Sequence, residues 1–66
     1  MNAQEIIRLA RKYLGCGTME SSARLCMADA VRLEGEGEFE FAKARALKSL
    51  SYSVGRSHPD YQRASK

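Results

Sequence analysis

The stretch Ala30-Val31-Arg32-Leu33-Glu34-Gly35-Glu36-Gly37-Glu38-Phe39-Glu40-Phe41-Ala42 decides the fold. Its centre, Glu34 to Glu38, alternates glutamate with glycine and reads as a short turn. Gly35 suits the stop of a preceding helix. A connection this short lets the flanking segments return only as an antiparallel helical hairpin. On the N-terminal side, Met19, Ala23, Cys26, Met27, Ala30, Val31 and Leu33 recur at three- and four-residue steps. That period predicts a helix from a cap at Thr18 or Ser21 to about Glu34. Many of these side chains are small or flexible, which favours close approach of a neighbouring helix. On the C-terminal side, Phe39, Ala42, Ala46, Leu47, Leu50 and Val54 form the core stripe of a helix starting near Glu38. It reaches Ser53 or Val54, and Gly55 stops it. Phe41, Ala44 and Tyr52 make a second, weaker stripe, interrupted by Lys48. Glu36, Glu38 and Glu40 lie at the positive end of this helix, and the spacing allows a Glu40–Lys43 pair.

Outward from the hairpin, Asn2 and Glu5 stand at the spacing of a capping box. Ala3, Ile6, Ile7, Ala10, Tyr13 and Leu14 then give a first helix one apolar stripe, with Arg8, Arg11 and Lys12 on the other side. Gly15 and Gly17 end it. At the other end, Ser57-His58-Pro59-Asp60 is a start signal, a capping side chain followed by proline at the first helical position. Tyr61 to Lys66 supplies one or two turns, too few to hold without docking. No segment alternates as a strand does. The expected fold is all-α, a single small domain over residues 1–66: a helix plus an antiparallel helical hairpin, with a short fourth C-terminal helix.

Composition bounds the function. The 66 residues are 44% hydrophobic and 29% charged, which excludes a disordered polymer. No apolar run approaches the ~20 residues of a membrane span. The first residues lack the basic flank and apolar stretch of a secretion signal, so the expected compartment is the cytoplasm. Cys16 and Cys26 fall roughly 12–15 Å apart on this reading, whereas a disulfide needs Cα atoms about 4.4–6.8 Å apart. Cys26 reads as a small core residue and Cys16 as an exposed thiol in a Gly-Cys-Gly turn. The net charge is +3, unevenly spread. Residues 34–42 hold four glutamates and no cation, whereas residues 43–66 hold six cations and only Asp60.

Chemistry-bearing patterns are lacking. His58 is the only histidine, and hydrolytic triads or two-histidine metal sites need partners it cannot supply alone. Cys16, Cys26 and His58 lack metal-finger spacing. Neither Gly15-Cys16-Gly17 nor Gly35-Glu36-Gly37 follows a strand or precedes Gly-Lys-Ser/Thr, so neither is a phosphate loop. The Glu34–Glu40 cluster lacks the twelve-residue calcium-loop pattern, and its place at a helix start accounts for it. The expectation is a protein that is not an enzyme, with no cofactor and no metal.

Ala30, Leu33, Gly37, Phe39, Ala42 and Ala46 keep small residues and a turn glycine at the spacings of a repeat, and Gly37-Glu38-Phe39-Glu40-Phe41-Ala42 carries most of the likeness. Residues 23–50 thereby resemble a tetratricopeptide repeat, a helix–turn–helix unit. Cys26, Asp29 and Ser49 depart from that pattern, and His58-Pro59-Asp60-Tyr61 resembles the start of a following repeat. The resemblance implies a helical surface that holds another polypeptide, and no chemistry. A solenoid needs about three repeats. Here either the first helix closes the hairpin into a three-helix bundle, or two chains share a core.

Three functional readings follow. In the first, the chain is a protein–protein interaction module that self-associates, as a dimer, or binds a larger protein. Leu9, Leu25, Phe41 and Tyr52 find no obvious place inside the bundle, and so large an apolar excess on a small monomer marks an interaction surface. The candidate contact residues are Leu25, Phe41, Tyr52 and Tyr61, with Arg45, Lys48 and Arg56 at the rim. The competing explanation is that the first helix lies across the hairpin and absorbs Leu25 and Phe41. In the second reading the chain is a small basic nucleic-acid binder. Glu36, Glu38 and Glu40 would then oppose phosphates at the start of a recognition helix, leaving contacts to Arg8, Arg11, Lys12 or the C-terminal cations Arg56, Arg63 and Lys66. In the third, a special case of the first, it is a regulatory protein that occupies a larger partner.

Overall fold

The computed structural model describes residues 1–66. Four helices follow in order: α1 (Ala3–Lys12), α2 (Glu20–Gly35), α3 (Phe39–Val54) and α4 (Pro59–Ala64). The chain is all-α, as the periodicities predict.

Asn2 starts α1. Its side-chain oxygen accepts from the Glu5 amide at 2.8 Å, and its own amide donates to the Glu5 carboxylate at 2.9 Å. Two of the helix's orphan donors are thus satisfied reciprocally. Ala3, Ile6, Ile7 and Ala10 are buried, the i, i+3, i+4, i+7 face of a single amphipathic helix.

The sequence places the α2 cap at Thr18 or Ser21, but Met19 occupies it and makes no side-chain capping bond. The Glu20 carboxylate sits in the first turn instead, where the helix dipole favours it. The far end also differs from expectation. Gly35 remains helical, and the chain turns at Gly37 with φ +82°. There the Glu38 amide donates to Leu33 carbonyl at 2.9 Å and the Gly37 amide to Glu34 carbonyl at 3.1 Å. These are the two bonds of a Schellman motif, which wants glycine at the left-handed position.

α3 returns antiparallel to α2 and is the central element, touching α1, α2 and α4. Its buried residues are Ala42, Ala46, Ser49, Leu50 and Ser53. Small side chains bring the two helices close enough for the buried Ser49 hydroxyl to donate to the Ala23 carbonyl at 2.8 Å. The Ser53 hydroxyl donates back along its own helix to Ser49. α1 lies mainly across α3, with a smaller contact on α2. Ile6, Ile7, Ala10, Met27, Ala30, Ala46, Leu50 and Ala64 form the core, ringed by the half-buried Leu9, Tyr13, Leu14, Leu47, Val54 and Tyr61. The Cα atoms extend 29 × 24 × 14 Å. The last dimension is the thickness of two helices: the hairpin is one layer and α1 the other.

Three residues assigned to core stripes are instead outside. Met19, Val31 and Phe39 are 48%, 43% and 54% exposed. Phe39 is the first residue of α3, directly after the turn and past the last core layer. It borders a shallow groove with Asn2, Gln4, Glu34 and Lys43.

The short α4 is held by docking, as its length demands. His58 caps it, Nδ1 accepting from the Asp60 amide at 3.1 Å. The Tyr13 hydroxyl donates to the Asp60 carboxylate at 2.5 Å, Arg63 pairs with Asp60 at 3.0 Å, and Ala64 is buried in the core. The Tyr13 and His58 rings meet edge to face, 5.4 Å between centroids.

Candidate functional site

Phe41, Arg45, Lys48 and Tyr52 are spaced by four, three and four residues along α3, which puts them on one side of the helix. The side chains of Ala42, Ala46, Ser49, Leu50 and Ser53 point into the protein, so this row runs along the outer flank. Phe41 is 64% exposed. Arg45 and Lys48 are exposed and Tyr52 is half-buried.

Beside the row, a shallow groove of about 460 Å3 lies between the second half of α3 and α4. Lys48, Tyr52, Arg56 and Tyr61 line it, together with Leu47 and Ser51. Four of the seven residues singled out in the sequence therefore converge on one depression, and Phe41 and Arg45 continue the same row toward the start of α3. Leu25 does not join them. It lies on α2 between the buried Ala23 and Met27, two residues from each, and points away from the core at 71% exposure. α1 covers neither Leu25 nor Phe41. Leu9, expected to lack an interior place, is half-buried against the core.

The cations of the row, like Arg8, Arg11 and Lys12 on α1, lack the ion pairs that engage Arg24, Arg32 and Lys43. Arg24 pairs with Glu20 at 2.6 Å, Arg32 with Glu36 at 3.2 Å, and Lys43 with Glu40 at 3.6 Å. Arg45, Lys48 and Arg56 make no ion pair within the chain. The hairpin turn at the opposite end of α3 is acidic. Glu34 there accepts a hydrogen bond from Gln4 at 2.9 Å, and Glu38 has no ionic partner. The helix thus runs from an unpaired anion at its start to unpaired cations at its end, with aromatic rings between.

A second polar cluster is structural. The hydrogen bond from Tyr13 holds the Asp60 carboxyl below the usual range, helped by Arg63, and the same bond raises the Tyr13 hydroxyl pKa. This cluster fixes α4 to the end of α1. His58 is engaged as its cap. Cys16 is exposed and Cys26 buried. No three His, Cys, Asp or Glu side chains gather where they could hold a metal ion, and no helix is long and apolar enough to cross a membrane.

Sequence reasoning missed two features. The Tyr13–Asp60 contact spans 47 residues and left no local signal. Ser49 had one: it follows Ala42 by seven residues and Ala46 by three, on the same stripe. Compared with protein-family models, with curated proteins and with solved structures, the chain matches none.

Proposed function

We propose that this chain is a small non-enzymatic interaction module that works by presenting the outer flank of its helical hairpin to protein, either a second copy or a larger partner that it regulates. The observation that carries this reading is the exposure of Phe41 and Leu25, at 64% and 71%, after α1 has closed over the hairpin. A bundle whose core is half alanine still places a phenylalanine and a leucine in water. Aromatic and arginine side chains on an exposed face are those that most often carry interface energy. The helix-pair form of α2 and α3 suits the polypeptide-holding surface implied by the tetratricopeptide-like pattern of residues 23–50. A cytoplasmic setting fits a chain with one buried and one exposed free thiol.

The groove favours a second reading. Lys48 and Arg56 beside Tyr52 and Tyr61 combine cations with stacking surfaces, as single-stranded nucleic-acid sites do. The acidic turn at the other end of the row opposes an extended polyanion, so this reading ranks second.

The test compares wild type with Phe41→Ala by sedimentation under reducing conditions, alone and with candidate protein partners. The expected result is loss of association in the variant with unchanged helicity. Unfolding of Phe41→Ala would make Phe41 a core residue and overturn the proposal. Tight, sequence-selective nucleic-acid binding at physiological salt would promote the second reading.

A further inference from the structure

Glu38, Phe41, Arg45, Lys48 and Tyr52 follow one another at steps of three, four, three and four residues. That is the a/d spacing of a coiled-coil seam, the geometry by which two helices pack at a shallow angle. Two of its five members are aromatic, and the other three are the unpaired anion at the start of α3 and two of the unpaired cations toward its end. On an isolated molecule the charges of the seam have no ionic partner. We infer that it pairs with the same seam of a second copy, antiparallel about a twofold axis. This deepens the interaction-module reading and rests on it.

The register follows from the charges. Antiparallel seams face a positions with d positions. Centring the axis beside position 43 sets Phe41 opposite Arg45 of the second copy and Glu38 opposite Lys48 of the second copy. At 1.5 Å rise per residue, Phe41 and Arg45 lie about 3 Å either side of the axis and Glu38 and Lys48 about 7.5 Å. The twofold makes each contact occur twice. The two Arg45 guanidinium groups are kept apart because each stacks on the phenylalanine across from it. Further out, Tyr52 and the groove cation Arg56 reach toward the acidic turn around Glu34 and Glu36 of the other copy. Glu38 and Lys48 thus each meet an opposite charge, and Arg45 meets an aromatic face.

The same dipolar layout argues against a polyanion as the occupant. A nucleic-acid strand lying along the seam gains from Arg45, Lys48 and Arg56 but meets Glu38 and Glu36 at the other end. Only a partner carrying the inverse order of charges matches both ends, and a twofold copy does so by construction. The contact is small and polar, so the dimer is weak and loosens with salt.

Charge reversal tests the register. Glu38→Lys and Lys48→Glu change exposed side chains, and circular dichroism checks that each variant stays helical. In sedimentation equilibrium of the reduced protein at low salt, up to ~1 mM, wild type is expected to associate reversibly. Each variant alone replaces two attractive pairs with two repulsive ones and weakens the dimer by roughly tenfold or more. An equimolar mixture of the two variants recovers wild-type association, because both cross-pairs are again opposite in sign. Wild type that sediments as a single chain throughout overturns the dimer while leaving a larger protein partner open to the Phe41→Ala comparison. Weakened variants that fail to recover on mixing overturn the register. Tighter binding of a single-stranded oligonucleotide by Glu38→Lys, with no self-association of wild type, would transfer the seam to nucleic acid.

Discussion

Replacing Gly17 with alanine isolates a close approach between the turn after α1 and the end of α3. Gly17 has φ +78°, and a Cβ built on it would lie 2.9 Å from the Ser53 carbonyl oxygen and 3.3 Å from that of Tyr52. Both are backbone atoms of α3, fixed by the helix, so they cannot swing aside as a side chain would. Gly15 is the internal control. Its φ is +94°, yet a Cβ there meets nothing within 4 Å. Alanine at either position incurs the left-handed penalty of about 1–2 kcal/mol, offset in part by about 0.4–1 kcal/mol from a stiffer unfolded chain. Gly15→Ala should therefore destabilise by no more than about 1.6 kcal/mol. Gly17→Ala adds overpacking against rigid backbone, about 1–3 kcal/mol. A domain this size has a total stability of roughly 3–10 kcal/mol, so the difference is measurable by urea denaturation followed by circular dichroism. Because the contact lies beside Tyr52, Gly17→Ala should also disturb the groove between α3 and α4. Equal losses for the two variants would refute the close approach and leave only backbone strain.

Core and surface substitutions should separate cleanly. Leu50→Ala, at a fully buried position, should cost about 2–5 kcal/mol, while Phe41→Ala should stay within about 0.5 kcal/mol of wild type, both by urea titration. Asn2→Ala removes the capping box and should cost about 1 kcal/mol, with amide exchange speeding up first at the start of α1. Tyr13→Phe should destabilise the protein at neutral pH by freeing α4. The Asp60 pKa is lowered in the folded state, so its contribution is present above the unfolded carboxylate value of about 3.9 and is lost as pH falls through the lower folded value. The Tyr13 pKa is raised, so the same contact is present below about 10 and is lost as pH rises beyond it. The stability gap between wild type and Tyr13→Phe should be flat near neutrality and close at both extremes. A gap unaffected by pH would detach Tyr13 from Asp60.

Local chemistry made much of this fold legible. The Asn2–Glu5 box, the proline after His58 and the alanine stripe of α3 each encode their structure within a few residues, and each element formed where its signal stood. α2 stops later than Gly35 alone suggests. Gly35 and Gly37 both suit a helix end, and only the bonds to the Leu33 and Glu34 carbonyls decide between them. The Phe39 assignment failed for a related reason. Periodicity puts it on the buried face, but the first residue of a helix projects past the layer that α1 covers. On the candidate surface, Phe41 and Leu25 were legible as surplus because the inward positions were already filled by alanine. The convergence of Lys48, Tyr52, Arg56 and Tyr61 on one groove was not, since it depends on where α4 docks. That docking is set by Tyr13, in the opposite third of the chain.

The outer flank of α3 is proposed to meet protein. A photoreactive phenylalanine analogue placed at Phe41, with Gln62 on the exposed side of α4 as control, tests it in living cells. A protein adduct is expected from position 41, to the chain itself or to a larger polypeptide, and none from position 62. No adduct from position 41, or one formed with nucleic acid, would contradict it.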